Sequence, residues 1–162
     1  MEIDTFDAMA ADDAAELIRP CCASRRWIEI VVVGRPHRTL EALIEASDAG
    51  LAELSWADVG EALAAHPRIG ERAGGADRES GWSRQEQSGA SAPGQADDLV
   101  AGNLAYEQRF GQVFLICATG RSAEDILAAL RQRLDNPPEV ERIVVRRELR
   151  EIVRLRLIKT FR

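Results

Sequence analysis

The segment SAEDILAALRQRL, residues 122–134, carries the clearest indication of the fold. Ser122 and Asp125 have the spacing of a capping box, in which each side chain accepts a hydrogen bond from the other residue's backbone N–H. Behind the box, apolar residues recur at helical spacing and form one stripe, which consists of Ile126, Leu127, Leu130 and Leu134. The segment therefore predicts an amphipathic helix with one face directed to a core.

Comparable helix signals lie on both sides of this segment. Helices are predicted over residues 5–19, 39–50, 55–66 and 97–111, and a last helix opens at Pro137 and Pro138. Residues 24–34 begin at Ser24, a typical cap, but their β-branched run leaves both helix and strand open. Because there is no repeat and no alternating strand pattern, we predict an all-α fold, a single-domain helical bundle over residues 1–162.

Composition limits the classes of function. The longest apolar runs, such as VFLICA at 113–118, are too short to span a bilayer, and the acidic N-terminus lacks the parts of a signal peptide. With no peroxisomal tripeptide at the C-terminus, the expected location is cytoplasmic. The three cysteines lack metal-binding spacing, so neither a zinc site nor a disulfide framework is predicted. Lys159 is the only lysine, which leaves Schiff-base chemistry almost no candidate.

Charge is distributed unevenly along the chain. The net charge is -6, yet residues 141–162 contain eight basic and three acidic residues. A basic last helix favours a nucleic-acid partner, but the acidic balance of the whole chain argues against one. A solvated helix face, or pairing with the acidic remainder or a second subunit, is the favoured interpretation.

A glycine-rich segment interrupts the helical pattern at residues 71–95, which contain five glycines and almost no apolar side chain. Such a long irregular loop is either a linker or a functional lid. Within it, Ser83 and Glu86 fit a capping box, which is a purely structural explanation. The start of a short helix also binds anions well. Ser83 and Gln87 would then hydrogen-bond a polar ring, and Glu86 would supply a carboxylate.

His66 is one of two histidines and lies where a predicted helix meets Pro67. Histidine titrates near neutral pH, so a general acid/base at this break is one interpretation. The other is a histidine that only caps helix carbonyls. His37 precedes a predicted helix cap and is expected to be a surface residue.

Three motifs together resemble one enzyme family. HPRIGE at 66–71 is followed by SRQEQSG at 83–89 and by NLAYEQRFGQVFLICATGRSAEDIL at 103–127. In this order they resemble the 2-oxo-4-hydroxy-4-carboxy-5-ureidoimidazoline (OHCU) decarboxylases of urate breakdown. The segments at 21–37 and 148–157 are similar to that family too, so the resemblance covers essentially the whole chain. The departure is RIG after His-Pro, where relatives often carry Asp-Leu-Ala, which leaves the role of Arg68 open.

The resemblance implies an all-α, cofactor-free and usually homodimeric enzyme that converts OHCU to (S)-allantoin. It implies His66 as the catalytic histidine and Pro67 as part of the pocket beside it. We expect His66 to act as the general acid/base and Glu86 to hold the substrate hydroxyl and bias the charge of the histidine. Two further groups are implied to bind substrate: Ser83, Arg84, Gln85 and Gln87 beside Glu86, and the backbone of Phe114, Leu115, Ile116, Cys117 and Ala118. No metal is implied, and the roles of Arg109 and Arg121 stay open.

Two alternatives to this function also follow from the sequence. One is a helical binding module that uses the basic last helix to hold a partner or nucleic acid. The other keeps the fold and the decarboxylation but acts on a related ureido acid.

Overall fold

The computed structural model describes residues 1–69 and 96–162, and within these ranges all regular secondary structure is helical. The helices are α1 (Ile3–Ala8), α2 (Ala11–Ile18), α3 (Arg25–Val33), α4 (Leu40–Glu53), α5 (Trp56–Ala64), α6 (Ala96–Phe110), α7 (Ala123–Leu134) and α8 (Pro138–Thr160). The all-α prediction is confirmed. In the same ranges, no helix combines the length and the apolarity that crossing a membrane requires.

Helix boundaries follow the predicted caps at several places. Ser122 and Asp125 form the reciprocal capping box of α7. Ser55 accepts from the Asp58 N–H at 3.1 Å, and Asp58 accepts from the Ser55 N–H at 3.1 Å, which fixes the start of α5. Gly111 follows the last residue of α6 with a φ of 71°, a conformation that favours glycine and ends the helix.

Two predicted boundaries are wrong. Residues 5–19 do not form one helix, because Met9 and Ala10 are extended and separate α1 from α2. The Arg35 guanidinium accounts for this break, since it donates to the carbonyl oxygens of Phe6 at 2.6 Å and Met9 at 2.7 Å. Gly50 does not end α4, which continues to Glu53.

Two further features of the N-terminal region are decided by the structure. Residues Arg25–Val33 are helical, with Ser24 as the cap that accepts from the Trp27 N–H. His37 is not a surface residue, because it is 8% exposed and its Nε2 lies 2.9 Å from the Val31 carbonyl oxygen. Its ring also stacks on Phe6.

The described residues divide into two compact units, Met1–Ala62 with Arg150–Arg162, and Leu63–Leu149. In the first unit Trp27 is fully buried and donates its indole N–H to Ser47 Oγ at 3.1 Å. In the second unit α6 and α7 pack around one apolar cluster, whose members are Ile69, Leu99, Tyr106, Phe114, Ile116, Ala118, Ala123, Ile126, Leu127 and Leu130. One domain over residues 1–162 stays a prediction.

Candidate active site

His66 lies in the turn that closes α5, in the unit Leu63–Leu149. Its backbone N–H donates to the Leu63 carbonyl oxygen at 3.0 Å, and its side chain is half-buried. Pro67 explains why the helix ends here, since a proline disfavours helical geometry in the residue before it. The histidine therefore lies just beyond the end of α5, next to Pro67, and its catalytic role stays a prediction.

The chain beyond His66 enters the core at once. Ile69 is 6% exposed and belongs to the apolar cluster of α6 and α7. Arg68, whose role the sequence leaves open, is exposed and forms an ion pair with Glu107 of α6. Residues 68 and 69 therefore contact α6, the helix that precedes the predicted site segment 114–118.

Residues 113–118 connect α6 to α7 without regular secondary structure. Phe114, Ile116 and Ala118 belong to the same apolar cluster as Ile69. Leu115 is also buried, whereas Cys117 is half-buried. The side chains of Phe114, Leu115, Ile116 and Ala118 are thus engaged in packing and are not available to a ligand. The structure therefore joins the His66 segment and this segment through one core.

A buried polar network that the sequence analysis missed supports this segment. Arg133 of α7 and Glu141 of α8 are 5% and 1% exposed. Arg133 donates through Nε to Glu141 Oε1 at 2.7 Å and through an Nη to the Leu115 carbonyl oxygen at 2.7 Å. Tyr106 donates its hydroxyl to the same Glu141 oxygen at 2.7 Å. Removing one partner of such a buried ion pair leaves an uncompensated buried charge, so the pair is costly to break.

Aromatic rings complete the surroundings of the arginine. The Arg133 guanidinium carbon lies 4.5 Å from the centre of the Phe114 ring and 5.8 Å from that of Tyr106. Burial, and then the hydrogen bond to the Glu141 carboxylate, raises the pKa of Tyr106 far above its usual range. The network thus fixes Leu115, in the middle of the predicted substrate segment, through the hydrogen bond from Arg133.

The signal for this network was present in the sequence. Arg133 follows Ile126 by seven residues and Leu130 by three, so it lies on the apolar stripe of its helix. Glu141 precedes Val145 by four residues, so it likewise lies on the apolar stripe of its helix, α8. A charged residue at a core-facing position indicates a buried pair, but its partners come from elements distant in sequence.

Arg109 and Arg121, whose roles the sequence leaves open, lie within the described ranges, whereas five predicted site residues lie outside them. Arg109 donates to the Asn136 carbonyl oxygen at 2.8 Å, and Arg121 lies 3.4 Å from Glu148, so both make contacts with the protein itself. The predicted site residues Ser83, Arg84, Gln85, Glu86 and Gln87 lie outside the described residues, as does the glycine-rich loop at 71–95.

The fold and the site define an all-helical protein with a half-buried histidine at a helix–proline break and a buried, irregular segment in the same core. A family model described as OHCU decarboxylase matches residues 7–158. The chain therefore belongs to the OHCU decarboxylase family.

Individual relatives agree with this membership. The chain is 32% identical over 159 residues to the uric acid degradation bifunctional protein TTL of Arabidopsis thaliana, covering 94% of this chain and 49% of the plant protein. It thus spans about half the length of that relative. It is 28% identical over 142 residues to the 2-oxo-4-hydroxy-4-carboxy-5-ureidoimidazoline decarboxylase of Halalkalicoccus jeotgali, covering 85% of this chain and 76% of that protein.

A solved structure is similar as well. The crystal structure of an OHCU decarboxylase in the presence of (S)-allantoin matches with a TM-score of 0.77 and 29% sequence identity. The match covers 88% of this chain and 95% of that one.

Proposed function

We propose that this chain catalyses the decarboxylation of OHCU to (S)-allantoin, in the breakdown of urate. The observation that carries the proposal is the family match over residues 7–158. The similar crystal structure, determined in the presence of (S)-allantoin, supports the same product. We also propose that the enzyme works as a cytoplasmic homodimer, which rests on the family resemblance and on the expectations from composition.

The chemistry of OHCU makes a cofactor-free reaction reasonable. Its carboxylate is attached to a carbon next to a ring C=N bond. When the bond to the carboxylate breaks, CO₂ leaves and the electron pair moves into that C=N bond, as in a β-keto acid. A proton must then be added to give allantoin. The protein therefore has to orient the carboxylate, exclude water and deliver one proton to one face of the ring.

In this proposal His66 is the general acid/base, and Glu86 holds the substrate hydroxyl and biases the charge of the histidine. The position of His66 supports its role, because the imidazole is half-buried and its backbone is bonded to the end of α5. A positioned proton donor of this kind contributes about 10²–10⁴-fold to the rate. Pro67 and residues 83–87 would line the remaining pocket.

Residues Phe114–Ala118 would form the pocket wall through their peptide groups. Four of these five side chains, all except Cys117, are buried, which supports a backbone role rather than a side-chain role. The Leu115 carbonyl oxygen already accepts from Arg133, so the other peptide groups of the segment are the better candidates for ligand contacts. A fixed wall of peptide groups would explain a single product enantiomer, since only one face of the ring is then open to the proton.

The test follows optical activity. OHCU is generated in place from urate by the two preceding enzymes of the pathway, and circular dichroism at the allantoin band is recorded after addition of wild type or His66→Ala. We expect a rapid signal with wild type and a rate lower by about 10²–10⁴-fold with His66→Ala. Uncatalysed decarboxylation produces no such signal, because the proton then adds to either face.

The other outcomes are equally informative. Equal rates with both proteins would keep the substrate and rule out His66 as the acid/base. No signal with folded wild-type protein would contradict OHCU as the substrate and favour a related ureido acid. Far-ultraviolet circular dichroism of both proteins is the control for folding.

A further inference from the structure

The backbone directly after His66-Pro67 is anchored to α6 at two consecutive residues. Asn103 donates its side-chain N–H to the Ile69 carbonyl oxygen at 2.9 Å. Arg68 donates through Nε to Glu107 Oε1 at 2.5 Å and through an Nη to Glu107 Oε2 at 3.0 Å. The second contact is a two-pronged pairing of guanidinium and carboxylate, a geometry that fixes direction as well as distance.

Both anchors come from one face of one helix. Asn103 and Glu107 are four residues apart in α6, so their side chains lie one above the other. The side chain of Ile69 adds a third contact, because it belongs to the core cluster. On the other side of the histidine, the His66 N–H is bonded to Leu63 of α5. Pro67, between them, has a fixed φ. The backbone at His66 is therefore held from both directions.

These anchors are poorly explained by stability alone. The Arg68 side chain is 53% exposed and that of Glu107 is 21% exposed, and an ion pair with an exposed partner contributes little to the folded state. Asn103 is 3% exposed, and its Oδ1 accepts no hydrogen bond from the described residues, so burying this amide costs stability even though its N–H is bonded. The contacts of Arg68 and Asn103 fix the position of the backbone next to His66. Misplacing a catalytic group by about 1 Å can cost about 10²-fold in rate.

We propose that Asn103 and Glu107 are positioning residues for the reaction, acting on His66 through the backbone of residues 68 and 69. Arg68, whose role the sequence leaves open, is then an anchor held by Glu107 rather than a ligand of the substrate carboxylate. This inference rests on the proposed function of His66.

The first test compares two ion pairs whose arginine side chains are similarly exposed, Arg68 at 53% and Arg19 at 45%. Glu107→Ala removes the anchor, and Glu16→Ala removes the pairing of Glu16 with Arg19 at the end of α2, which has a contact distance of 2.9 Å. We expect Glu107→Ala to lower kcat about 10- to 100-fold with KM within about twofold of wild type. Glu16→Ala should leave both constants unchanged. Each Tm should shift by no more than about 3 °C, because an ion pair with an exposed arginine contributes little to stability.

Rescue and coupling test the same geometry. The reversed pair Arg68→Glu/Glu107→Arg should recover most of the kcat lost in Glu107→Ala, since both guanidinium–carboxylate hydrogen bonds can re-form. Asn103→Ala should lower kcat too, and its effect should not add to that of Glu107→Ala, because both act on one short backbone segment. If Asn103→Ala does not fold, Glu107→Ala and the reversed pair decide the matter.

A spectroscopic test does not depend on activity. The chain has two histidines, so ring-selective ¹H–¹⁵N correlation spectra contain two imidazole patterns, and His66→Ala identifies one of them. We expect Glu107→Ala to shift the His66 pattern and leave that of His37 in place. An unchanged His66 pattern, or an unchanged kcat, would overturn the inference. If wild type does not decarboxylate OHCU, the proposed function is wrong. The His66 pattern then still decides whether Glu107 determines the position of the His66 imidazole.

Discussion

At the scale of single residues, Tyr106 shows how burial and one hydrogen bond together set the pKa of a hydroxyl. It is the only tyrosine of the chain, it is fully buried, and its hydroxyl donates to Glu141 at 2.7 Å. Ionisation would place a second negative charge beside that carboxylate in a region with little water. This is why the pKa of Tyr106 is raised well above its usual range.

The raised pKa predicts how stability depends on pH. An unfolded tyrosine ionises near pH 10, whereas folded Tyr106 keeps its proton to higher pH. Above about pH 10 the folded state therefore binds more protons than the unfolded state, and the free energy of unfolding must fall as pH rises. Below pH 10 this contribution is fully present. We expect phenolate absorbance to appear only as the protein unfolds.

The measurement is an alkaline titration in which near-ultraviolet absorbance and far-ultraviolet circular dichroism are recorded together. A phenolate that forms near pH 10 while the helices persist would contradict the prediction. Tyr106→Phe is the matched control: it removes the ionising group and the hydrogen bond, so it should lose about 1–3 kcal/mol at neutral pH and show a weaker fall above pH 10.

At the scale of helices, the approach of α6 to α7 depends on Gly102. A Cβ built on this residue would overlap Cδ2 of Leu130, which is fully buried on α7. Gly102→Ala therefore gains about 1 kcal/mol of helix propensity but overpacks a filled core, which costs about 1–3 kcal/mol. We expect a net loss in the free energy of unfolding, measured by urea denaturation.

Gly60 provides the control for that prediction, because it lies in the middle of α5 and no atom of residues 1–69 or 96–162 lies within 4 Å of a built Cβ. Gly60→Ala should stabilise the protein by about 0.5–1 kcal/mol. If both substitutions stabilise to the same extent, the close approach at Gly102 has no energetic consequence.

Local signals in the sequence predict the helices well and their packing poorly. The boxes at Ser55 and Ser122 were predictable because both partners lie within one turn. The sequence predicts a helix end at Gly50, yet this residue is helical and lies where a Cβ would be 3.1 Å from Ile30. The break at Met9 depends on Arg35, which no local pattern connects to it.

The candidate site shows the same contrast between local and distant signals. The sequence predicts His66 as a site residue from its place before Pro67, and the structure places it half-buried just after α5. The anchors behind it were not predicted, because Arg68 and Glu107 are 39 residues apart. The pairing of Arg133 with Leu115 is similarly non-local. Side-chain contacts between distant elements decide how accurately the predicted residues are held, and a single sequence does not display them.

At the scale of the whole molecule, the ends of the described chain belong to one unit, Met1–Ala62 with Arg150–Arg162. The Phe6 and Phe161 rings meet edge to face with centroids 5.0 Å apart. Arg154 donates through Nε to both oxygens of Asp48, at 3.1 and 3.0 Å. These contacts join residues more than 100 positions apart, so a compact unit of this kind has no contiguous counterpart in the sequence.

Two ion pairs, Arg154 with Asp48 and Arg133 with Glu141, bear on whether the basic last helix binds nucleic acid. The hydrogen bond to Asp48 raises the pKa of Arg154, so this arginine is charged but already paired, and Arg133 of the neighbouring α7 is buried with Glu141. The chain as a whole carries a charge of -6, which repels phosphate. We therefore expect no complex with duplex DNA or RNA at low salt, measured by fluorescence anisotropy up to about 10⁻⁴ M protein, the weak end of non-specific binding. A complex whose affinity falls steeply with salt, and falls again in Arg147→Glu on the exposed face of α8, would contradict this expectation and favour the binding module.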